Sequence, residues 1–366
     1  MIKIAYNYQV FVNKYGGASR IFSEIAPIIS KSDNFEVTVY AGFYQNEYLH
    51  DNHTNLSIKG KFVAYPPKTS RIFPPLNSVF AQAALAIDRP DVVHNTYYSK
   101  FNTVPKNSKI VVTVLDMIHE KFSYLMRNAD LTISAKAEAI KRADWIICIS
   151  ESTKQDLIEI LNVNPEKISV IYLSYSTINQ TSFQSTPVVT EPYILYTGLR
   201  GSYKNFDRLL KAYASNSQLR KTHKIVCFGD KSFSQQEIDT MVNLELDPHQ
   251  VLHYFGSDSL LANFYTHADA LVYPSLYEGF GIPPLEAMSF NCPVICSNTS
   301  SIPEVVGDAG EYFDPYDIDS ISDALEKVIF STSRSEELVS RGQKRVKLFS
   351  WHKCAKETME VYNSLA

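Results

Sequence analysis

The sequence predicts an α/β protein made of two doubly wound, parallel-sheet domains, and three observations predict it. The chain has 366 residues, more than one ordinary domain. Short apolar runs rich in β-branched and aromatic residues alternate with longer helix-like stretches. That alternation occurs twice, on either side of a segment that has neither pattern. With 45% hydrophobic and 20% charged residues, each half can bury a core without disulfide staples.

In the first half the expected strands are 3–6, 36–41, 91–94, 109–115, 145–150 and 167–173. In the second they are 193–197, 224–228, 251–255, 270–273, 293–297 and 311–313. The runs are continuously apolar rather than alternating, which is the mark of strands covered on both faces. Residues 175–192, YSTINQTSFQSTPVVTEP, are rich in Ser, Thr, Gln and Pro and are read as the linker. The domains are accordingly 1–182 and 183–348, with a closing helix over 349–366 whose Trp351, Met359 and Val361 fall at helical spacing. Two such domains facing across a cleft would put strand C-terminal ends, and the ligand loops they carry, at the gap.

Composition excludes several classes. Thirty-five basic against 39 acidic residues give a net charge of -4, which offers no general attraction to nucleic acid. The opening MIKIAYNYQVFV has one lysine and an apolar run broken by Asn7 and Gln9, unlike a signal peptide. No run approaches the ~18 apolar residues of a membrane span, so a cytoplasmic location is expected. Cys148, Cys227, Cys292, Cys296 and Cys354 read as core thiols in a reducing compartment. Cys292 and Cys296 have no second Cys/His pair to complete four ligands, and no metal is expected. Asn298-Thr299-Ser300 has the form of a glycosylation triplet, which is meaningless without secretion. Asp317-Ile318-Asp319 precedes a helix-like run and reads as an N-cap rather than a metal motif. The basic stretch 136–142 could touch anionic lipid, although a solvated helix face is the plainer reading.

The most informative stretch is 273–288, YPSLYEGFGIPPLEAM. It leaves an apolar strand, turns through Gly279 and Gly281, and enters a helix with Pro283 and Pro284 in its first turn, where a missing N–H costs nothing. Glycines let the backbone of Phe280, Gly281 and Ile282 approach a ligand, and a helix start suits a phosphate. Glu278 and Glu286 frame the turn, and a carboxylate accepts hydrogen bonds from sugar or ribose hydroxyls. Arg200 and Lys204 lie at the start of another helix-like run, where cations disfavour the helix by ~0.3–1 kcal/mol. A diphosphate would compensate, at ~1.5–3 kcal/mol for each charge-assisted hydrogen bond. Gly16-Gly17 separates the first strand from an amphipathic helix, a weak signal alone because ordinary turns use it. Asp116 and His119 sit just past an apolar strand, and His94 ends another, a candidate for acceptor contact.

The run Glu278-Gly279-Phe280-Gly281-Ile282-Pro283 followed by Glu286-Ala287-Met288 resembles the E-x7-E signature of the family-four retaining glycosyltransferases. The resemblance extends to Tyr15-Gly16-Gly17-Ala18, to Trp145 through Ser152, to Gly198 through Asn205, and to Ser301 through Val306. It implies the GT-B fold, with an acceptor domain first, a nucleotide-sugar domain second, and a final helix packing back on the first. It implies that Glu278 contacts the transferred sugar, Glu286 the ribose, and Arg200 and Lys204 the donor phosphates. Gly16 and Gly17 would approach the pyrophosphate from the other domain. Relatives carry a His-Asp pair where this chain has Leu115-Asp116, and His119 is near enough in sequence to substitute.

The activity implied is metal-independent hexosyl transfer with retained configuration, without a cofactor, from a nucleoside-diphosphate sugar. The acceptor implied is a glycan or lipid-linked oligosaccharide of O-antigen or capsule assembly, with peripheral contact at the inner membrane face. Mannose from GDP-mannose is common among similar enzymes, and glucose, galactose, rhamnose and N-acetylglucosamine donors also occur. The base would be read by backbone at 254–256. Alternatives on the same fold are an epimerase, a phosphorylase, or a catalytically silent subunit that scaffolds a partner.

Overall fold

A computed structural model describes all residues except 52–55, 67–68, 70–71, 127, 176–185 and 230. The chain forms two compact units, Met1–Leu173 with Ser350–Ala366, and Ser174–Phe349. Most of the expected linker, and the boundary expected at 182, fall outside the described residues.

The first unit is a seven-stranded parallel sheet of β1 (Ile2–Asn7), β2 (Phe35–Tyr44), β3 (Ser57–Phe62), β4 (Val92–Asn95), β5 (Lys109–Val114), β6 (Trp145–Cys148) and β7 (Ile168–Val170). The strand order is β3-β2-β1-β4-β5-β6-β7. Its inner strands are almost wholly buried, as their unbroken apolar runs require. All six strands expected in this half are present, and β3 is an addition. Its sequence, Ser-Ile-Lys-Gly-Lys-Phe, carries no apolar run because an edge strand that stays mostly exposed needs none. β2 is bulged between Val39 and Gly42. Gly42 takes φ +61°, and a Cβ there would stand 2.5 Å from the Asn77 side-chain oxygen. That amide closes on the backbone of Phe43 from both sides, at 2.8 Å each way.

The helix Trp351–Leu365 belongs to this first unit, where it packs beside the helix Gly17–Ile29. Ser350 caps it by accepting the Lys353 N–H. The Tyr362 hydroxyl donates to Tyr6 Oη at 2.8 Å and lies 2.7 Å from His94 Nδ1. His94 Nε2 lies 2.8 Å from Thr113 Oγ1. Because Tyr362 gives its proton to Tyr6, His94 donates through Nδ1 and accepts from Thr113 through Nε2.

The second unit is a six-stranded parallel sheet of β8 (Tyr193–Thr197), β9 (Lys224–Phe228), β10 (Val251–Tyr254), β11 (Ala270–Tyr273), β12 (Val294–Ser297) and β13 (Gly310–Phe313). Its order is β10-β9-β8-β11-β12-β13, and every expected strand is present. A core of β-sheet residues with Leu209, Tyr213, Leu325 and Leu338 fills the space beneath its helices. Among the described residues no helix is long and apolar enough to cross a membrane.

Candidate active site

Counted from β8, the second sheet runs 3-2-1-4-5-6, so the chain reverses direction between the adjacent strands β8 and β11. Loops leaving the carboxyl ends of two such strands diverge and open a crevice. Residues 198–205 follow β8, residues 274–281 follow β11, and the charged groups meet there. Lys204 Nζ donates to Glu278 Oε1 at 2.6 Å, with the two side chains 15% and 10% exposed. The Tyr273 hydroxyl also bonds Glu278, and burial together with that carboxylate holds its phenol well above the usual range. The ammonium lies 5.3 Å from the Tyr203 ring and 5.7 Å from the Tyr273 ring.

Gly281 enters the helix Ile282–Ser289 at φ +99°, a left-handed conformation that glycine adopts without strain. Pro283 follows within the first turn, where no N–H is needed. Glu286 lies in this helix, buried, and accepts the Tyr265 hydroxyl at 3.1 Å. Phe280 turns its ring into the core, edge-on to Phe349 at 5.9 Å, so it can offer a ligand only its backbone.

The loops are tied to one another. The Asn205 amide donates to Pro274 O at 3.0 Å and to Pro315 O at 2.8 Å, and Leu276 N donates to Tyr203 O at 2.7 Å. From the loop after β12, Thr299 Oγ1 donates to Leu276 O, and Ser300 Oγ accepts the Glu278 N–H at 2.9 Å. Ser301 Oγ lies 2.9 Å from both the Glu278 and the Phe280 carbonyl oxygens. This hydroxyl brace, which includes two residues of the glycosylation-like triplet, escapes a reading of the sequence. Its only signal is the run Asn298-Thr299-Ser300-Ser301 directly after a strand.

Arg200 is held by contacts within the second unit. Its side chain is 2% exposed and is turned onto Glu237, with Nε 2.8 Å from Oε1. Its two terminal nitrogens each give one hydrogen bond, to Gly229 O and Lys231 O, and the guanidinium lies 4.7 Å from the Phe233 ring. The physical reason is that Glu237, fixed in a capping box with Ser234, offers a carboxylate within reach of a buried guanidinium. Of the two cations read as a pair, only Lys204 stands at Glu278.

In the first unit, Gly16 is extended and Gly17 begins its helix, with nothing within 4 Å of where a Cβ at Gly17 would stand. Asp116 Oδ1 accepts Ile118 N at 3.0 Å, opening the short helix Ile118–Lys121 that carries His119. His119 Nδ1 is buried and makes no hydrogen bond. His94 is not available for acceptor contact: both ring nitrogens are bonded inside the core, and burial pushes its pKa down to about 3. Of the basic stretch 136–142, Lys136 is fully buried and faces neither lipid nor solvent, whereas Lys141 is exposed as a solvated face requires.

Asp317 caps the helix Ile318–Ile329 by accepting Asp319 N at 3.0 Å. All five cysteines are buried and unpaired with one another. Among the described residues no cluster of three or more His, Cys, Asp or Glu is arranged to hold a metal.

Two family models divide the chain, Glycosyltransferase Family 4 over residues 15–177 and Glycosyl transferases group 1 over residues 178–345. The O-antigen chain mannosyltransferase B of Escherichia coli is 33% identical over 239 residues, 62% of each chain. The O-antigen chain mannosyltransferase RfbU of Salmonella typhimurium is 32% identical over 190 residues, 52% of each. The chain thus covers less than two thirds of these relatives' length. Among solved structures, Anabaena HepE in complex with UDP-glucose superposes with a TM-score of 0.75 at 16% identity, covering all of both chains. WaaG, a glycosyltransferase involved in lipopolysaccharide biosynthesis, gives 0.71 at 17% identity and 99% coverage of both. At such identity these likenesses establish the fold, two Rossmann-like parallel-sheet units of the GT-B kind.

Proposed function

Because the chain belongs to family 4 of the glycosyltransferases, we propose that it moves a hexosyl group from a nucleoside-diphosphate sugar to a hydroxyl of a surface polysaccharide under assembly. Mannose from GDP-mannose is the donor this reading favours, since the relatives named above are mannosyltransferases. The observation that carries it is the Lys204–Glu278 pair at the β8/β11 switch point, beside a helix start entered through Gly281.

The C1–O bond to the diphosphate breaks while the acceptor oxygen bonds C1 on the same face, which retains the configuration. The acceptor's proton passes to the departing phosphate oxygen. Lys204 has N–H donors beyond the one given to Glu278, and these meet the charge that develops on the diphosphate. The backbone N–H groups of Gly281 and Ile282 at the helix start act with them, Pro283 and Pro284 having none to give, and the reaction proceeds without a metal or a cofactor. Glu278 orients the sugar hydroxyls, Glu286 the ribose, and the backbone of Phe280, Gly281 and Ile282 the phosphates. The first unit supplies Gly16 and Gly17 to the pyrophosphate, and Asp116 and His119 to the sugar and acceptor. Arg200 serves by holding the 198–205 loop to Glu237 rather than by touching phosphate. The acceptor in this reading is lipid-linked, reached by peripheral contact at the cytoplasmic face of the membrane.

The test is a thermal-shift and calorimetric panel of GDP, UDP, dTDP and ADP. It is followed by turnover of the matching mannose or glucose donor in EDTA, with the product anomer read by NMR. Selective stabilisation by GDP, and α-product from an α-donor in EDTA, is the expected result. Absence of binding by every nucleotide would overturn the reading.

A further inference from the structure

Lys136 is a wholly buried ammonium outside the nucleotide-sugar unit. Its Nζ donates to Asp116 O at 2.7 Å and to Glu120 Oε2 at 2.8 Å. A third direction faces the Tyr98 ring, whose centroid is 5.2 Å away. The Tyr98 hydroxyl in turn accepts Leu115 N at 3.2 Å. One cation and one phenol therefore grip Leu115, Asp116 and Glu120, the loop that leaves β5. Within that loop two buried polar atoms make no hydrogen bond, His119 Nδ1 and Glu120 Oε1. Glu120 is 4% exposed at its side chain, whereas Asp116 is 28% exposed and open to a ligand.

Filling the same volume with an apolar side chain would avoid desolvating two charges. A cation retained there fixes something that packing alone does not, the height and direction of a backbone carbonyl and a carboxylate. Two buried polar atoms left unsatisfied in a loop so firmly held, beside the partly exposed Asp116 carboxylate, show that the loop is held for something other than its own hydrogen bonding.

We propose that Lys136 is a positioning residue for sugar transfer, acting through the loop it holds so that Asp116 and His119 stay aligned on the reacting sugar and hydroxyl. This rests on the transfer reading given above for those two residues. The side chain touches neither substrate, and its effect belongs to turnover rather than to donor affinity.

The experiment compares Lys136→Met, Asp116→Ala, His119→Ala and the doubles of Lys136→Met with each. It measures nucleoside diphosphate release from GDP-mannose with water as acceptor, or from the donor that the nucleotide panel selects. Lys136→Met is expected to lower kcat by about a hundredfold, as displacement of a reacting group by about an ångström does. Its donor KM and its calorimetric nucleotide affinity stay within about twofold. Each double variant is expected to turn over no more slowly than its Asp116 or His119 parent. Losses that multiply in the doubles, or a kcat per folded molecule equal to wild type, would overturn the proposal. Should Lys136→Met fail to fold, Lys136→Met with Glu120→Gln leaves no unpaired buried charge and is read in the same way. Wild-type turnover in both Asp116→Ala and His119→Ala would instead remove the underlying reading. Impaired turnover in those two with an intact Lys136→Met removes the present proposal alone.

Discussion

Replacing Lys204 by alanine separates the two things its ammonium does. In the free protein the pair with Glu278 is short, at 2.6 Å, and both partners are largely shielded from water. Removing the lysine takes away the carboxylate's cation and leaves it the hydrogen bond from the Tyr273 hydroxyl. Breaking a buried pair on one side costs about 3 kcal/mol, which for a unit of this size lowers the melting temperature by about 6–12 °C. Loss of a charge-assisted hydrogen bond to phosphate costs a further ~1.5–3 kcal/mol in the transition state, or about 10- to 150-fold in turnover. The double variant Lys204→Ala with Glu278→Gln removes the stranded charge, so its melting temperature should recover most of the loss while its turnover does not. Differential scanning fluorimetry and nucleoside diphosphate release report the two effects separately. Turnover within a factor of about two of wild type in Lys204→Ala would refute the phosphate role.

Arg200→Ala and Glu237→Ala should give the same phenotype, a melting temperature lowered by several degrees, with the double variant no worse than either single. A turnover loss in Arg200→Ala far beyond that of Glu237→Ala would instead return Arg200 to the phosphates. His94 makes stability depend on acid: burial holds its pKa at about 3 against about 6.5 in the unfolded chain. The unfolded state therefore takes up the proton first on acidification. The contribution is complete above about pH 6.5 and is lost at up to ~1.4 kcal/mol per pH unit as pH falls toward 3. Urea midpoints should show that slope, and His94→Gln should flatten it. Tyr362→Phe removes the hydroxyl shared by His94 and Tyr6 and should cost about 1–2 kcal/mol by the same measurement. Ser301→Ala loosens the turn that carries Glu278 and should lower turnover about tenfold while leaving the fold intact, as circular dichroism would check.

Much of this was legible in the chain because strands buried on both faces must be apolar throughout. β8, β9 and β11 were readable to the residue for that reason. β3 was not, since an edge strand with Lys59 and Lys61 obeys no such demand. The turn at Gly281 and Pro283 was legible because only particular residues tolerate its backbone. What the sequence concealed is direction. Arg200 finds its carboxylate 37 residues away on another helix, and nothing local announces it. Lys136 looks like part of a basic face, and only the folded sheet reveals Asp116 and Glu120 above it. His94 sits at a strand end as a ligand residue would, yet a tyrosine 268 positions later occupies its Nδ1.

The single amide of Asn205 fastens the segments after β8, β11 and β13 to one another, so these three loops behave as one plate. A plate of that kind does not bend around its guest. Tolerance for a different hexose must then come from exchanging the side chains that rise from it. Across descendants of this chain, donor preference would drift by substitution at the rim while Asn205 and its two carbonyl partners stayed fixed.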